Sequence, residues 1–174
     1  GKAMAENRDD FILALYLGRY AGFRIHECFR MDTAAAEQAL RENALTVKGK
    51  GGKVRIVPIE DERILMMLKR VLAQTERGHK LLVPDGMPTD RSINALELFI
   101  YRHRNEISDE GSDRRLTFHG LRHTYAAEKY TRLTEGGMSA IDAHYAVSRL
   151  LGHERADVTN IYLASVRKRG RDGE

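Results

Sequence analysis

The sequence predicts an α+β fold, mainly helical, with one small antiparallel β-element at the edge of a helical core. Three observations predict it. Apolar residues recur at three- and four-residue spacing through most of the chain. Only residues 44–59 break that period, being rich in β-branched residues and interrupted by glycines. No internal repeat, low-complexity tract or Pro/Gly-rich linker divides the chain, and the three prolines are scattered at 58, 84 and 88. A chain of 174 residues is therefore expected to form one domain, burying roughly two thirds of its unfolded surface.

The opening segment, about Asn7 to Tyr20, reads as a helix with Phe11 and Leu15 on its apolar face. Gly22 breaks it, and a short helix follows from about Arg24. Asp32 is placed to cap a third helix, which runs through the alanines to Asn43. Ala44 to Val47, a glycine-rich turn, and Val54 to Ile59 then read as a hairpin. Beyond it, Glu60 to about Glu76 carries Ile64, Leu65, Leu68, Val71 and Leu72 in an amphipathic stripe. Thr89 or Asp90 is positioned to cap a helix with Ile93, Leu96, Ile100 and Ile107 facing the core. A polar loop from Ser108 to Arg114 leads to a helix starting near His119. Ser139 and Asp142 have capping-box spacing for a helix ending at Gly152, and a last short helix is expected over Asp157 to Leu163.

Composition narrows the class of function. Charged residues make up 31% and hydrophobic ones 42%, which is ordinary for a folded chain and excludes a disordered one. The longest apolar run, Phe11 to Leu17, falls far short of the about 20 residues that a membrane helix needs. With Asp9 and Asp10 ahead of that run, the chain is expected to be soluble and without a signal peptide. One cysteine, Cys28, excludes a disulfide framework and suits a reducing cytoplasm. The net charge of +4 is unevenly spread. Residues 45–59 carry four basic and no acidic groups, while the tail holds Arg167, Lys168, Arg169 and Arg171. Both clusters suit an anionic partner, of which nucleic acid is the commonest kind.

Several side chains have chemistry to offer, although each also has a plain structural reading. His119 and Arg122, three apart, share a helix face from which imidazole and guanidinium can both bind a phosphate. His153 follows the helix-ending Gly152, and Tyr162 lies nine residues further on. A tyrosine there is by default a packing residue, yet its phenolate becomes a nucleophile when neighbouring cations favour ionisation. Arg24 opens a helix, with Glu27 three residues on to hold it.

In this order, Gly-Phe-Arg24-x-x-Glu, Gly-Lys50-Gly-Gly-Lys, His119-x-x-Arg122, Leu-Gly-His153 and Tyr162 resemble the catalytic domain of the tyrosine recombinases, the phage-integrase type. The resemblance covers nearly the whole chain. It implies the tyrosine-recombinase catalytic fold, with a domain over residues 1–165 and a basic tail over 166–174. It also implies an amino-terminal helical DNA-clamping domain that this chain does not carry, so the chain is expected to be a catalytic domain of a larger protein.

The implied roles follow residue by residue. Arg24 and Arg122 clamp the scissile phosphate, and Tyr162 attacks it to give a 3′-phosphotyrosine. Lys50 protonates the leaving oxygen, the Gly-Lys-Gly pattern favouring it over Lys53, which stays the other candidate general acid. His119 helps take the tyrosine proton and His153 hydrogen-bonds the phosphate, with no metal, ATP or other cofactor. Lys48, Lys53, Arg55, His123, Arg167, Lys168 and Arg169 are expected to contact DNA. The implied partner is double-stranded DNA, bound by a tetramer of the full-length protein, with accessory DNA-bending proteins and a monomeric isolated segment both compatible. The implied place is the bacterial cytoplasm, at the nucleoid. The sequence departs from the family in one region. Where members usually carry a tryptophan-bearing turn and a short strand, this chain has Phe29-Arg30-Met31-Asp32 and a helix-favouring alanine stretch.

Three other readings compete. A type IB topoisomerase uses a similar Arg, Lys, Arg, His and Tyr set, but the His-x-Leu-Arg-His and Leu-Gly-His patterns favour a recombinase. A metal-dependent hydrolase would use His119, His123 and His153 as ligands. It lacks the carboxylate of His-Glu-x-x-His, and Arg122 would set a cation beside the metal. A DNA-binding module without catalysis would not need all six catalytic positions filled.

Overall fold

The computed structural model describes residues 8–49, 52, 54–107 and 116–152. In chain order the elements are α1 (Asp9–Ala21), α2 (Ile25–Cys28), α3 (Thr33–Glu42), β1 (Ala44–Lys48), β2 (Val54–Pro58), α4 (Glu62–Leu72), α5 (Thr89–Ile107), α6 (Phe118–Glu135) and α7 (Ala140–Leu151). The mainly helical α+β reading holds, and the strands pair antiparallel as expected. The polar loop at 108–114 and the last helix at 157–163 lie outside the described residues.

Local chemistry sets most boundaries. Asp32 accepts a hydrogen bond from the Ala35 N–H at 2.8 Å and caps α3, whose far end turns at Asn43 in the left-handed region. Thr117 caps α6 through the Gly120 N–H at 2.9 Å. Ser139 caps α7 through the Asp142 N–H at 3.1 Å, but the Asp142 carboxylate takes the Ser139 hydroxyl rather than its backbone N–H. α4 is shorter than its periodicity suggests, because Asp61 caps it. Glu60 is thereby left to pair with Lys129 and Arg132 of α6. Thr89 and Asp90 lie inside the first turn of α5, where the Pro88 carbonyl accepts from Arg91 and Ser92. The Thr89 hydroxyl accepts from Lys80 instead of capping.

The core is one large cluster, with α1 at its centre packed on α4 and α6. Phe11, Leu13 and Leu17 of α1, Ile64 and Leu68 of α4, and Ile93, Leu96 and Ile100 of α5 are all buried. A satellite cluster of Tyr125, Ala126, Val147 and Leu151 joins α6 to α7. Close approach fixes the α1–α6 crossing: a β-carbon at Gly18 would lie 2.9 Å from the Phe118 ring.

Among the described residues the sheet has two strands, and α3 occupies the region where the family pattern would put a strand. A single antiparallel bridge at Asp32 and Lys80 ties that region down, through Thr33 N to His79 O and Leu81 N to Met31 O. The hairpin register pairs Leu45 with Val57 and Val47 with Arg55. That face turns inward, burying Leu45, Val47 and Val57, while Val54 and Ile56 on the other face stay exposed.

Candidate active site

The site forms where the α1–α2 corner, the first turns of α6, the end of α7 and strand β2 meet. The chain leaves α1 through Gly22 at φ 67°, and Phe23 N–H bonds Leu17 O at 3.1 Å. Only glycine suits this corner, because a β-carbon would lie 2.4 Å from the Tyr125 ring and in the left-handed region. The turn delivers Arg24 to the start of α2, with 42% of its side chain exposed.

Glu27 anchors that arginine. Its Oε2 accepts the Arg24 backbone N–H at 2.8 Å and its Oε1 accepts Arg24 Nη1 at 3.1 Å. A second arginine takes the same carboxylate. Arg55 Nη1 donates to Oε1 at 2.9 Å and Nη2 to Oε2 at 2.7 Å, a bidentate fork. Burial alone would raise the Glu27 pKa, but the Arg55 fork and the Arg24 N–H outweigh it and hold the carboxyl below its ordinary value. Glu27 is therefore ionised at neutral pH.

Arg122, from the second turn of α6, is fully buried. Its Nη1 donates to the Gly22 carbonyl and its Nη2 to the Leu151 carbonyl at 2.6 Å. These bonds join the α1–α2 corner to the last residue of α7. Gly152 then turns the chain at φ 64°, and a β-carbon there would meet the Arg55 guanidinium at 3.0 Å.

His119 lies one helical turn before His123, their rings edge to face at 4.7 Å. Burial first, then the charges of Arg122 and Arg24, lower the His119 pKa. The imidazole is thus neutral at pH 7 and able to accept a proton. The same two cations make His119 a poor metal ligand, against the hydrolase reading. Cys28 is no nucleophile, since burial and the neighbouring Glu27 charge push its thiol well up.

Of the six predicted catalytic residues, Arg24, His119 and Arg122 are brought to one place. Lys50, His153 and Tyr162 lie outside the described residues, as do Lys53, Arg167, Lys168 and Arg169. Among the expected DNA-contacting side chains, Lys48 is exposed and His123 half-buried, but Arg55 is turned inward onto Glu27 with 9% of its side chain exposed. The signal that reveals Arg55 is strand period. It shares a face with Val57, which is buried, whereas the apolar pair Val54 and Ile56 faces out. The shared carboxylate and the two backbone acceptors of Arg122 had no sequence signal.

A helical domain with a hairpin against its core thus brings a half-exposed arginine, a buried arginine and a neutral histidine together, a set of groups able to hold an anion and accept a proton. The sequence model of the phage integrase family matches residues 3–169, and the chain belongs to that family. Over 169 residues it is 27% identical to tyrosine recombinase XerD of Pseudomonas putida, covering 93% of this chain and 51% of that protein. Over 167 residues it is 30% identical to tyrosine recombinase XerC of Shewanella oneidensis, covering 89% of this chain and 46% of the relative. The chain thus spans about half the length of these curated relatives. The fold matches the crystal structure of XerA recombinase with a TM-score of 0.66 at 21% identity, covering 97% of this chain and 59% of that one. It also matches the Tn1549 transposon integrase in complex with circular intermediate DNA, with a TM-score of 0.63 at 18% identity, covering 99% and 61%. No described helix is long and apolar enough to cross a membrane.

Proposed function

We propose that this chain is the catalytic domain of a site-specific DNA recombinase that cuts and rejoins strands through a 3′-phosphotyrosine. The observation that carries the reading is that Arg24 and Arg122, from segments about a hundred residues apart, both act on His119, in a chain of the phage integrase family. Arg24 and Arg122 neutralise charge on the non-bridging oxygens as the phosphorus becomes pentacoordinate. The Tyr162 oxygen attacks phosphorus, and its proton passes toward neutral His119. The P–O5′ bond breaks, and O5′ takes a proton from Lys50, leaving a 3′-phosphotyrosine and a free 5′-hydroxyl. Attack by the 5′-hydroxyl of a partner strand reverses the step and joins the new strands, with His153 donating a hydrogen bond to the phosphate.

In this reading residues 1–165 are the catalytic domain, and the basic tail over 166–174 lies beyond it. Lys48, Lys53, His123, Arg167, Lys168 and Arg169 supply contacts to double-stranded DNA. The curated relatives are about twice as long as the part this chain matches, and in this reading the full-length protein adds a second DNA-gripping domain and acts as a tetramer on DNA in the bacterial cytoplasm.

A nicked suicide substrate resolved on a denaturing gel tests the proposal. A covalent protein–DNA adduct is expected to form in excess chelator and to vanish in Tyr162→Phe. An adduct that survives that substitution, or that needs a divalent metal, sinks the reading.

A further inference from the structure

The Glu27 carboxylate is full. It receives four hydrogen bonds, two at each oxygen: Arg24 Nη1 and Arg55 Nη1 at Oε1, and Arg24 N–H and Arg55 Nη2 at Oε2. An ionised carboxylate has about four lone-pair sites, so no acceptor capacity is left. The two guanidiniums divide it unequally. Arg55 holds both oxygens, at 2.9 and 2.7 Å, with little of its side chain exposed. Arg24 keeps one side-chain bond at 3.1 Å and remains 42% exposed.

We infer that Arg55 is a positioning residue for the phosphate clamp: by occupying both Glu27 oxygens it limits Arg24 to one bond, and so leaves the rest of that guanidinium for the scissile phosphate. The inference deepens the proposed strand cleavage and rests on it. Without Arg55, Glu27 offers two vacant sites three residues from the only other arginine that touches it in the described structure. A bidentate Arg24–Glu27 pair would then form, and the clamp would be spent inside the protein. The surroundings favour this arrangement. Arg55 is held in register opposite Val47 in the hairpin, and Gly152 leaves room for its guanidinium where a β-carbon would lie 3.0 Å away, so its fork is presented from paired strand backbone. Arg24 sits at the end of a helix of four residues.

The test compares cleavage rates of Arg55→Gln on two suicide substrates. One carries an ordinary scissile phosphate and the other a methylphosphonate, which lacks one of the oxyanions that Arg24 neutralises. On phosphate the variant is expected to be slower by about 10–100-fold, since displacing a positioned group by about 1 Å can cost 10²-fold. On methylphosphonate the deficit should shrink severalfold, because less charge needs the clamp. Added to Arg24→Ala, the same change should cost little further, since both act through one guanidinium.

Arg55→Lys keeps the charge but cannot fork both oxygens. It should show the same substrate dependence at smaller size, and it carries the test if Arg55→Gln does not fold. Equal deficits on both substrates, or full multiplication with Arg24→Ala, overturn the inference and leave Arg55 a fold-stabilising residue. If the unaltered chain forms no Tyr162-dependent adduct on either substrate, the cleavage reading itself has failed.

Discussion

Arg24 and Arg122 carry the same guanidinium into one site, yet the protein holds them in opposite ways. Arg24 is half exposed, at the end of a short helix, and is tethered by a carboxylate three residues away. Arg122 is fully buried and held by neutral carbonyls of Gly22 and Leu151, 100 and 29 residues distant. The first corner is assembled by charge and local sequence, the second by packing. Arg122 is therefore part of the fold as much as of the site, whereas Arg24 can be altered with the core left standing.

The sharpest way to break this comparison is Arg122→Ala. It orphans two buried carbonyls at roughly 1–3 kcal/mol each and leaves a cavity as well. Chemical denaturation should show this loss together with abolished cleavage, whereas Arg24→Ala should slow cleavage severely but to a still measurable rate, with a change in stability under about 1 kcal/mol. Comparable stabilities for the two variants would erase the distinction.

Glu27→Gln comes next, because it leaves Arg55 buried without its counter-charge, at about 3–5 kcal/mol. The pH dependence gives an independent check. The native Glu27 pKa is lowered, so its stabilisation is complete above the ordinary value of 4.5 and is lost as pH falls through the native value. The acid limb of the stability curve should be flatter in Glu27→Gln than in the unaltered chain, while Arg122→Ala should keep most of that limb, because Arg55 and the Arg24 N–H outweigh Arg122 in lowering the Glu27 pKa.

Gly22→Ala tests the joint between the two corners. A side chain at φ 67° costs roughly 1–2 kcal/mol, and its clash with the Tyr125 ring adds about 1–3. A lowered urea midpoint with an unchanged m-value is the expected result, and a neutral effect would show the corner to be more pliant than its geometry suggests. The smallest effect is a shift in a titration. His119 is lowered from 6.5 by burial and by both arginines, so it stays neutral to more acid pH. The acid limb of kcat/KM for cleavage should fall below 6.5 and move upward in Arg24→Ala, as one repelling cation is removed. No movement would mean that Arg24 does not share the site with His119.

Much of this was legible beforehand. The caps Asp32 and Ser139 act at the spacing where a side-chain oxygen reaches free backbone N–H groups, and local geometry of that kind is written in local sequence. The stripe of Ile64, Leu68 and Val71 gave the buried face of α4 for the same reason. Errors arose where a residue had a distant claim on it. Glu60 reads as helix-forming but is drawn to Lys129 and Arg132, and α4 starts at Glu62.

The sequence by itself determined the order of the helices, the single hairpin, and the residue types that a phosphoryl-transfer site requires. Their spacing along the chain is a local property. Strand period puts Arg55 on the same face as Val57, but only the tertiary structure decided that this face is the inner one, leaving Val54 and Ile56 outside. It alone brought the Gly22 and Leu151 carbonyls to Arg122. The physical reason is that a buried charge must be satisfied by whatever acceptors the packed chain brings near it. In this molecule those acceptors, Glu27 for Arg55 and two backbone oxygens for Arg122, come from segments that sequence spacing does not relate.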